Sequence, residues 1–431
     1  MIRQPRLHID HFHTMQDKSD YDRNFVFTPA DGSITPHLLL FAVQMLALTA
    51  PPFAGRQMLF SIAIVLFAIA ASVNRFTSNP GLAQFFSLAW PHYLSVLEKL
   101  FTSHYPGPEA ALWRVDRPAK EALHMYPFGV AKLLWAFVIW FNLRGIRWNY
   151  QVKNIPSGPP SSSGRWSFVA SQLFVFIRLL LMADLLSQLA IHNFYTTLDG
   201  SVGTINSRWL TTRVESNFAC QLYRTATVGM IPYTFMNLQY IAGAIVWVTL
   251  GISKPADWPP FFGNVSQVTS VRAFWGRFWH QMIRRTVNVY TGVIADLLRL
   301  PPGTIRTYTQ LWLSFSISGI MHSIAIYIIP SPLNISFRER SFGFFQFFML
   351  QAAAITMEDF VQYVLISANL VNQTSRLWKR CLGYVWVVYW FGFSLPYFLD
   401  IMLRMKNMEQ PMLPFSILKT AVPYLAFCSA T

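Results

Sequence analysis

The sequence predicts an all-α fold, a polytopic integral membrane protein of about 8-10 transmembrane helices. Three observations predict it. Only 12% of the 431 residues are charged and 53% are hydrophobic, whereas a soluble domain carries roughly 25% charged residues. Apolar runs of about 20 residues, the length that crosses a bilayer, recur along the chain. Short basic segments separate those runs, as expected where lysine and arginine set orientation.

Two domains of unequal size are expected: a polar N-terminal segment over 1-33 and a single transmembrane domain over 34-431. The first carries alternating His8, His11 and His13 and shows no signal peptide. The spans expected after it are 34-51, 58-73, 81-101, 166-191, 224-250, 307-330, 341-367, 381-403 and 412-429. The third is interrupted by Pro91, His92, Glu98 and Lys99. Leu133 to Leu143 is too short to cross, and its Trp135 and Trp140 between Lys132 and Arg144 predict an interfacial helix. SGPPSSSG at 157-164 is the clearest loop.

A net charge of +15 raises the question of nucleic acid, but lysine and arginine lie between apolar runs rather than in a basic block. That distribution suits membrane orientation and attraction to anionic head groups or a polyanionic small molecule, not nucleic acid. It places 102-165, with eight Lys/Arg, and 251-306, with seven, together on the cytosolic side. Of the sequons at Asn264, Asn334 and Asn372, only Asn334 is then luminal and a candidate for glycosylation. Cys220, Cys381 and Cys428 have no metal-ligand spacing and suggest no disulfide framework.

His322 stands in a run with no charged residue between Arg306 and Arg338. An ionisable group at that depth is costly and marks a functional site by default, although a histidine that only bonds a neighbouring helix gives the same pattern. Ser318 and Gly319 precede it by four and three residues and share or adjoin its helical face. Gly319 suits close approach of a ligand or, equally, of a helix. His280 lies in the aromatic, basic stretch SVRAFWGRFWHQMIRR just before that span. A neutral imidazole can take a proton from an alcohol attacking a carbonyl, and a second polar group can steady the oxyanion. No G-x-S-x-G, HExxH, P-loop, Rossmann glycine fingerprint or CxxC pair occurs, so no metal site is supported.

FWGRFWH (274-280) followed by SGIMH (318-322) resembles the wax-synthase-like branch of the membrane-bound O-acyltransferases. RGIRWNYQVKNIP (144-156) is similar to an upstream element of its fungal members, and FFMLQAAAITMEDFV (347-361) to a later block closing on Glu358 and Asp359. The motif-bearing core runs over about 130-400. The resemblance implies an internal reaction tunnel with His322 as catalytic base and His280 as its catalytic partner. It further implies substrate or acyl-CoA contacts from Trp275, Arg277, Trp279, Gln281, Arg284, Ser318 and Gly319, with Arg272 and Arg285 also able to draw the phosphates. The chain departs from the superfamily where Ser323 and Ile324 replace an acidic residue after the histidine.

By the same resemblance the expected activity is that of an acyl-CoA-dependent O-acyltransferase of the endoplasmic reticulum membrane. Acetyl-CoA is the favoured co-substrate, no cofactor is tightly bound, and the partner is a lipophilic alcohol of terpenoid type. Two alternatives remain: a long-chain wax or sterol ester synthase, and a transporter with His322 on its translocation path. Against the second, no repeat and no paired broken helices are visible.

Overall fold

The computed structural model describes residues 26–160, 162–195, 218–333, 335–368 and 376–425. His8, His11, His13, Asn334 and Asn372 lie outside them.

Eight of the nine expected spans are helical. The first two form an antiparallel pair, α1 (Thr35–Thr49) and α2 (Arg56–Ser72). The third is broken into α3 (Pro80–Ser87) and α4 (Trp90–Thr102), with Pro91 tolerated in the first turn of α4. A short turn, α5 (Pro108–Ala111), precedes α6 (Val130–Phe141). Among the described residues, three helices are long and apolar enough to cross a membrane: α7 (Arg165–Phe194), α11 (Thr304–Ala325) with its 3-10 extension to Ile328, and α13 (Arg376–Arg404). α8 (Phe218–Thr249) and α12 (Phe337–Ser367) are as long but more polar. Between α8 and α11 lie the short α9 (Val271–Ala273) and the amphipathic α10 (Arg284–Leu297). α7 packs on α8, and α12 packs between α11 and α13.

One expectation about the spans fails for an identifiable reason. The run 412-429 forms no long helix among the described residues; it turns repeatedly and ends in a single helical turn, α14 (Val422–Leu425). Pro411, Pro414 and Pro423 interrupt it, and buried Asp184 of α7 accepts the backbone N–H groups of Ile417 and Leu418 at 2.8 and 3.0 Å. The last span is therefore a strap held by a carboxylate. α6 packs one face against α1 and α4, with Ala136 and Ile139 fully buried, and leaves Val130, Leu134 and Phe141 exposed on the other. Trp140, expected at an interface, donates to Gln44 Oε1 of α1 at 2.9 Å.

Buried Arg56 and Glu98 are paired across elements. Arg56 Nη1 meets Glu109 Oε1 at 2.6 Å, and its Nη2 donates to Ala47 O at 2.8 Å. Glu98, fully buried, takes Arg285 of α10 at 2.8 Å. Such pairs are costly to break from one side only, because the survivor is left charged in low dielectric. Cys220, near the start of α8, is disulfide-bonded, which corrects the expectation that the cysteines give no disulfide.

Candidate active site

α11 carries His322 in its last turn, where the His322 carbonyl accepts the N–H of Ile326. The imidazole lies face to face with Phe348 of α12 at 4.9 Å and 17°, and Trp90 and Phe398 present their rings edge-on at 5.3 and 6.1 Å. It makes no hydrogen bond among the described residues and lines a half-open cavity of about 2960 Å³. That is several times the roughly 300–1,000 Å³ of an ordinary ligand pocket.

Ser318 also lines this cavity, but its hydroxyl donates to Ser314 O at 3.0 Å. Gly319 is not on the wall. A Cβ there would meet Phe345 Cα and Phe348 Cβ at 3.2 Å, so the glycine lets α12 approach and sets the ring that backs His322. Its expected contact with substrate is thus replaced by helix packing.

The segment 258–283 builds the opposing wall. Ser270 Oγ caps α9 by accepting Ala273 N–H at 2.9 Å. The Glu358 carboxylate of α12 accepts the N–H groups of Val271 and Arg272 at 2.5 and 3.0 Å, and the indole N–H of Trp386 at 2.7 Å. The chain then widens into a π turn over Phe274–Phe278, closed by Trp279 N–H donating to Phe274 O at 2.8 Å. Such turns recur at functional sites because they displace side chains from helical register. Gly263 lies against the turn and donates to Phe278 O at 2.8 Å. A Cβ there would collide with Arg277 O, so only glycine fits.

Every predicted residue of this segment lines the cavity: Trp275, Arg277, Trp279, His280, Gln281 and Arg284. Their roles divide. Gln281 Nε2 donates to the carbonyls of Trp275 and Trp279 at 3.0 and 2.5 Å. Arg284 Nη1 donates to Gly276 O at 2.9 Å and to Gln281 Oε1 at 2.8 Å. Both side chains hold the turn closed, Gln281 through its amide and Arg284 through Nη1. Trp275 anchors on Gln351 Oε1 at 3.3 Å and packs edge-on to Phe315. His280 stacks on Phe261 at 5.9 Å, its Nδ1 is buried without a partner, and it lies within electrostatic reach of His322 and Arg144.

Of the arginines expected to draw phosphates, Arg272 pairs with Asp359 and Arg285 with Glu98, so neither charge is free. Arg277 is exposed and makes no ion pair among the described residues. The upstream RGIRW element proves structural. Buried Arg144 donates to Pro260 O at 2.9 Å and to Tyr240 OH at 2.8 Å, and Asn154 donates to Gly276 O at 2.9 Å. Thus 144-156 fixes the floor on which 258–283 sits. Beside it, Asp116 bonds Arg114 and Arg147 at 2.9 Å, which holds its carboxyl well below the usual carboxylate range.

A helical membrane protein whose large aromatic cavity is lined by two imidazoles without a hydrogen-bond partner among the described residues has the parts of an enzyme acting on lipophilic substrates. Residues 258–348 match the Membrane bound O-acyl transferase family, and residues 164–249 match the Aspirochlorine biosynthesis protein F C-terminal domain. The chain is 44% identical over 232 residues to aspirochlorine biosynthesis protein F of Aspergillus oryzae, covering 54% of this chain and 90% of that one. It is 29% identical over 263 residues to acetyltransferase sirH of Emericella nidulans, covering 61% of this chain and 58% of the relative. With acetyltransferase eriL of Hericium erinaceus it shares 27% identity over 293 residues, 66% of this chain and 70% of the relative. No solved structure matches it. The chain belongs to the Membrane bound O-acyl transferase family and is an acyltransferase.

Proposed function

We propose that this enzyme transfers acetyl from acetyl-CoA to a hydroxyl of a lipophilic, terpenoid-type secondary metabolite in the endoplasmic reticulum membrane. The observation that carries the reading is His322, a partner-free imidazole facing a cavity that His280 also lines. His322 takes the proton of the acceptor hydroxyl as its oxygen attacks the thioester carbonyl. The C–O bond forms, the C–S bond breaks, and the departing thiolate of coenzyme A recovers the proton from His322. The face of Phe348 steadies the transient imidazolium through its quadrupole, and His280 or Trp279 positions the reacting carbonyl.

Arg277, exposed and without an ion pair among the described residues, supplies positive charge for the phosphates of coenzyme A at the face formed by 102-165 and 251-306. The excess of basic residues supports a cytosolic position for that face. The disulfide at Cys220, at the opposite end of α8, supports an oxidising compartment on the other side. The names of the acetyltransferase relatives support the choice of acyl group.

The test is His322→Ala in microsomes with labelled acetyl-CoA. Transfer is expected to fall by about 10²–10⁴-fold, the usual contribution of a positioned base, at unchanged protein level. Wild-type turnover by that variant would overturn the assignment. The cavity volume also fits a longer acyl chain; strong turnover with palmitoyl-CoA and none with acetyl-CoA would replace acetyl transfer with long-chain ester synthesis.

A further inference from the structure

A further imidazole lines the same cavity on a different wall. His92 of α4 stacks on Trp140 of α6 at 4.1 Å and 27°, with Phe141 edge-on at 6.2 Å. Trp140 is held in turn, since its indole N–H donates to Gln44 Oε1 while Gln44 Nε2 donates to Leu40 O at 2.8 Å. The plate behind His92 is therefore fixed. Phe41 meets Trp140 edge-on at 5.1 Å, and Phe137 stacks parallel to Trp247 at 5.8 Å, so this part of the cavity is a set of flat aromatic walls.

His92 itself makes no hydrogen bond among the described residues, and its Nδ1 is sealed from solvent without a partner. A buried N–H without an acceptor is costlier than an idle lone pair, because buried donors are almost always paired whereas acceptors are sometimes left under-filled. The favoured tautomer thus carries its proton on Nε2, the nitrogen that is not sealed. In an apolar chamber that N–H is a polar demand left open.

We propose that His92 is an acceptor-binding subsite, whose Nε2–H donates to a carbonyl or ether-type oxygen on a rigid polycyclic substrate, remote from the hydroxyl that is acylated. The subsite rests on acyl transfer to a lipophilic alcohol as the activity. The fixed His92–Trp140 plate receives the flat apolar rings, and the N–H sets their direction in the chamber. A site built to bond a substrate oxygen discriminates against the analogue lacking it, since its own polar atom is then left unpaired.

The test uses the full-length chain in microsomes, acetyl-CoA, and two saturated tetracyclic acceptors. One bears a hydroxyl on its first ring and a ketone on its last; the other lacks only the ketone. Wild type is expected to bind the hydroxyketone with a KM about tenfold lower, the worth of one hydrogen bond in a dry site. His92→Phe, which keeps the stack but not the donor, removes that preference through KM and not kcat, and His92→Gln, which restores an N–H, recovers part of it. Equal KM values in wild type, a preference that survives in His92→Phe, or a shared fall in kcat with both acceptors would overturn the subsite alone. No transfer to either acceptor by wild type would overturn the acceptor class, and the subsite with it.

Discussion

Glu358→Gln keeps the shape of a side chain that organises the π turn from 87 residues away, and removes only its charge and one acceptor. In the wild type three N–H groups converge on the carboxylate: Val271, Arg272 and the Trp386 indole. A glutamine oxygen can serve those on one side, but its NH₂ group faces a donor on the other, leaving at least one N–H unpaired. Loss of one charge-assisted bond and an orphaned donor together cost about 2–3 kcal/mol. That cost falls on α9 and the turn it opens, so the fraction of molecules with Trp275 and His280 in register drops by about 30- to 150-fold if the turn is only marginally ordered without its cap. Acetyl transfer in microsomes is the assay, with a fluorescence-detected thermal midpoint as the control for global folding. A large fall in kcat with a midpoint lowered by only a few degrees is expected, because α12 and α13 keep their own packing. Wild-type kcat in Glu358→Gln would refute the reasoning, and unfolding of the whole chain would show that Glu358 supports the bundle and not the turn.

Three other perturbations probe the same geometry. Arg277→Ala should raise the KM for acetyl-CoA about tenfold while sparing the KM for the alcohol, since one free cation to phosphate is lost; an unchanged KM in steady-state kinetics would exclude Arg277 from the phosphate site. Arg144→Lys cannot reach Pro260 O and Tyr240 OH together, so it should lose about 1–3 kcal/mol and expose the 258–263 loop to limited proteolysis. The pairing of Asp116 with Arg114 and Arg147 contributes stability above the ordinary carboxylate range and loses it only as pH falls below that range, because the folded-state pKa is depressed. Asp116→Asn should therefore lower the thermal midpoint at pH 7 and narrow its gap to wild type under strongly acidic conditions, as read from melting curves across pH.

The parts of the site visible in sequence were those whose cost or pattern is local. His322 shows itself as an imidazole deep in the uncharged run between Arg306 and Arg338, and FWGRFWH as an unusual density of rings and charge. What sequence hides is the partner of each charge. Arg285 reads like Arg277 until Glu98, 187 residues earlier, is found across from it. Hydropathy counts likewise made 412-429 a span, because a window sum weighs Phe and Leu but not the prolines between them or the Asp184 carboxylate that gathers the strap. α6 reads as an interfacial helix from its tryptophans and flanking bases, whereas the packing of its Ala136 and Ile139 face on α1 and α4 is not visible in spacing. His92 was visible only as an interruption of the third span; its role depends on Trp140 standing over it, which no spacing reveals.

The π turn begins at Phe274, yet the carboxylate that caps the helix opening it belongs to residue 358. During synthesis the N-terminal part of a chain emerges and folds first. The turn, Trp275 and His280 thus leave the ribosome well before the group that holds them. A nascent or truncated chain ending before α12 has the basic mouth but lacks both Glu358 and the Phe348 ring that backs His322. The architecture acts as an assembly checkpoint: the register of Trp275 and His280 arrives only with the helix that brings Glu358 and Phe348.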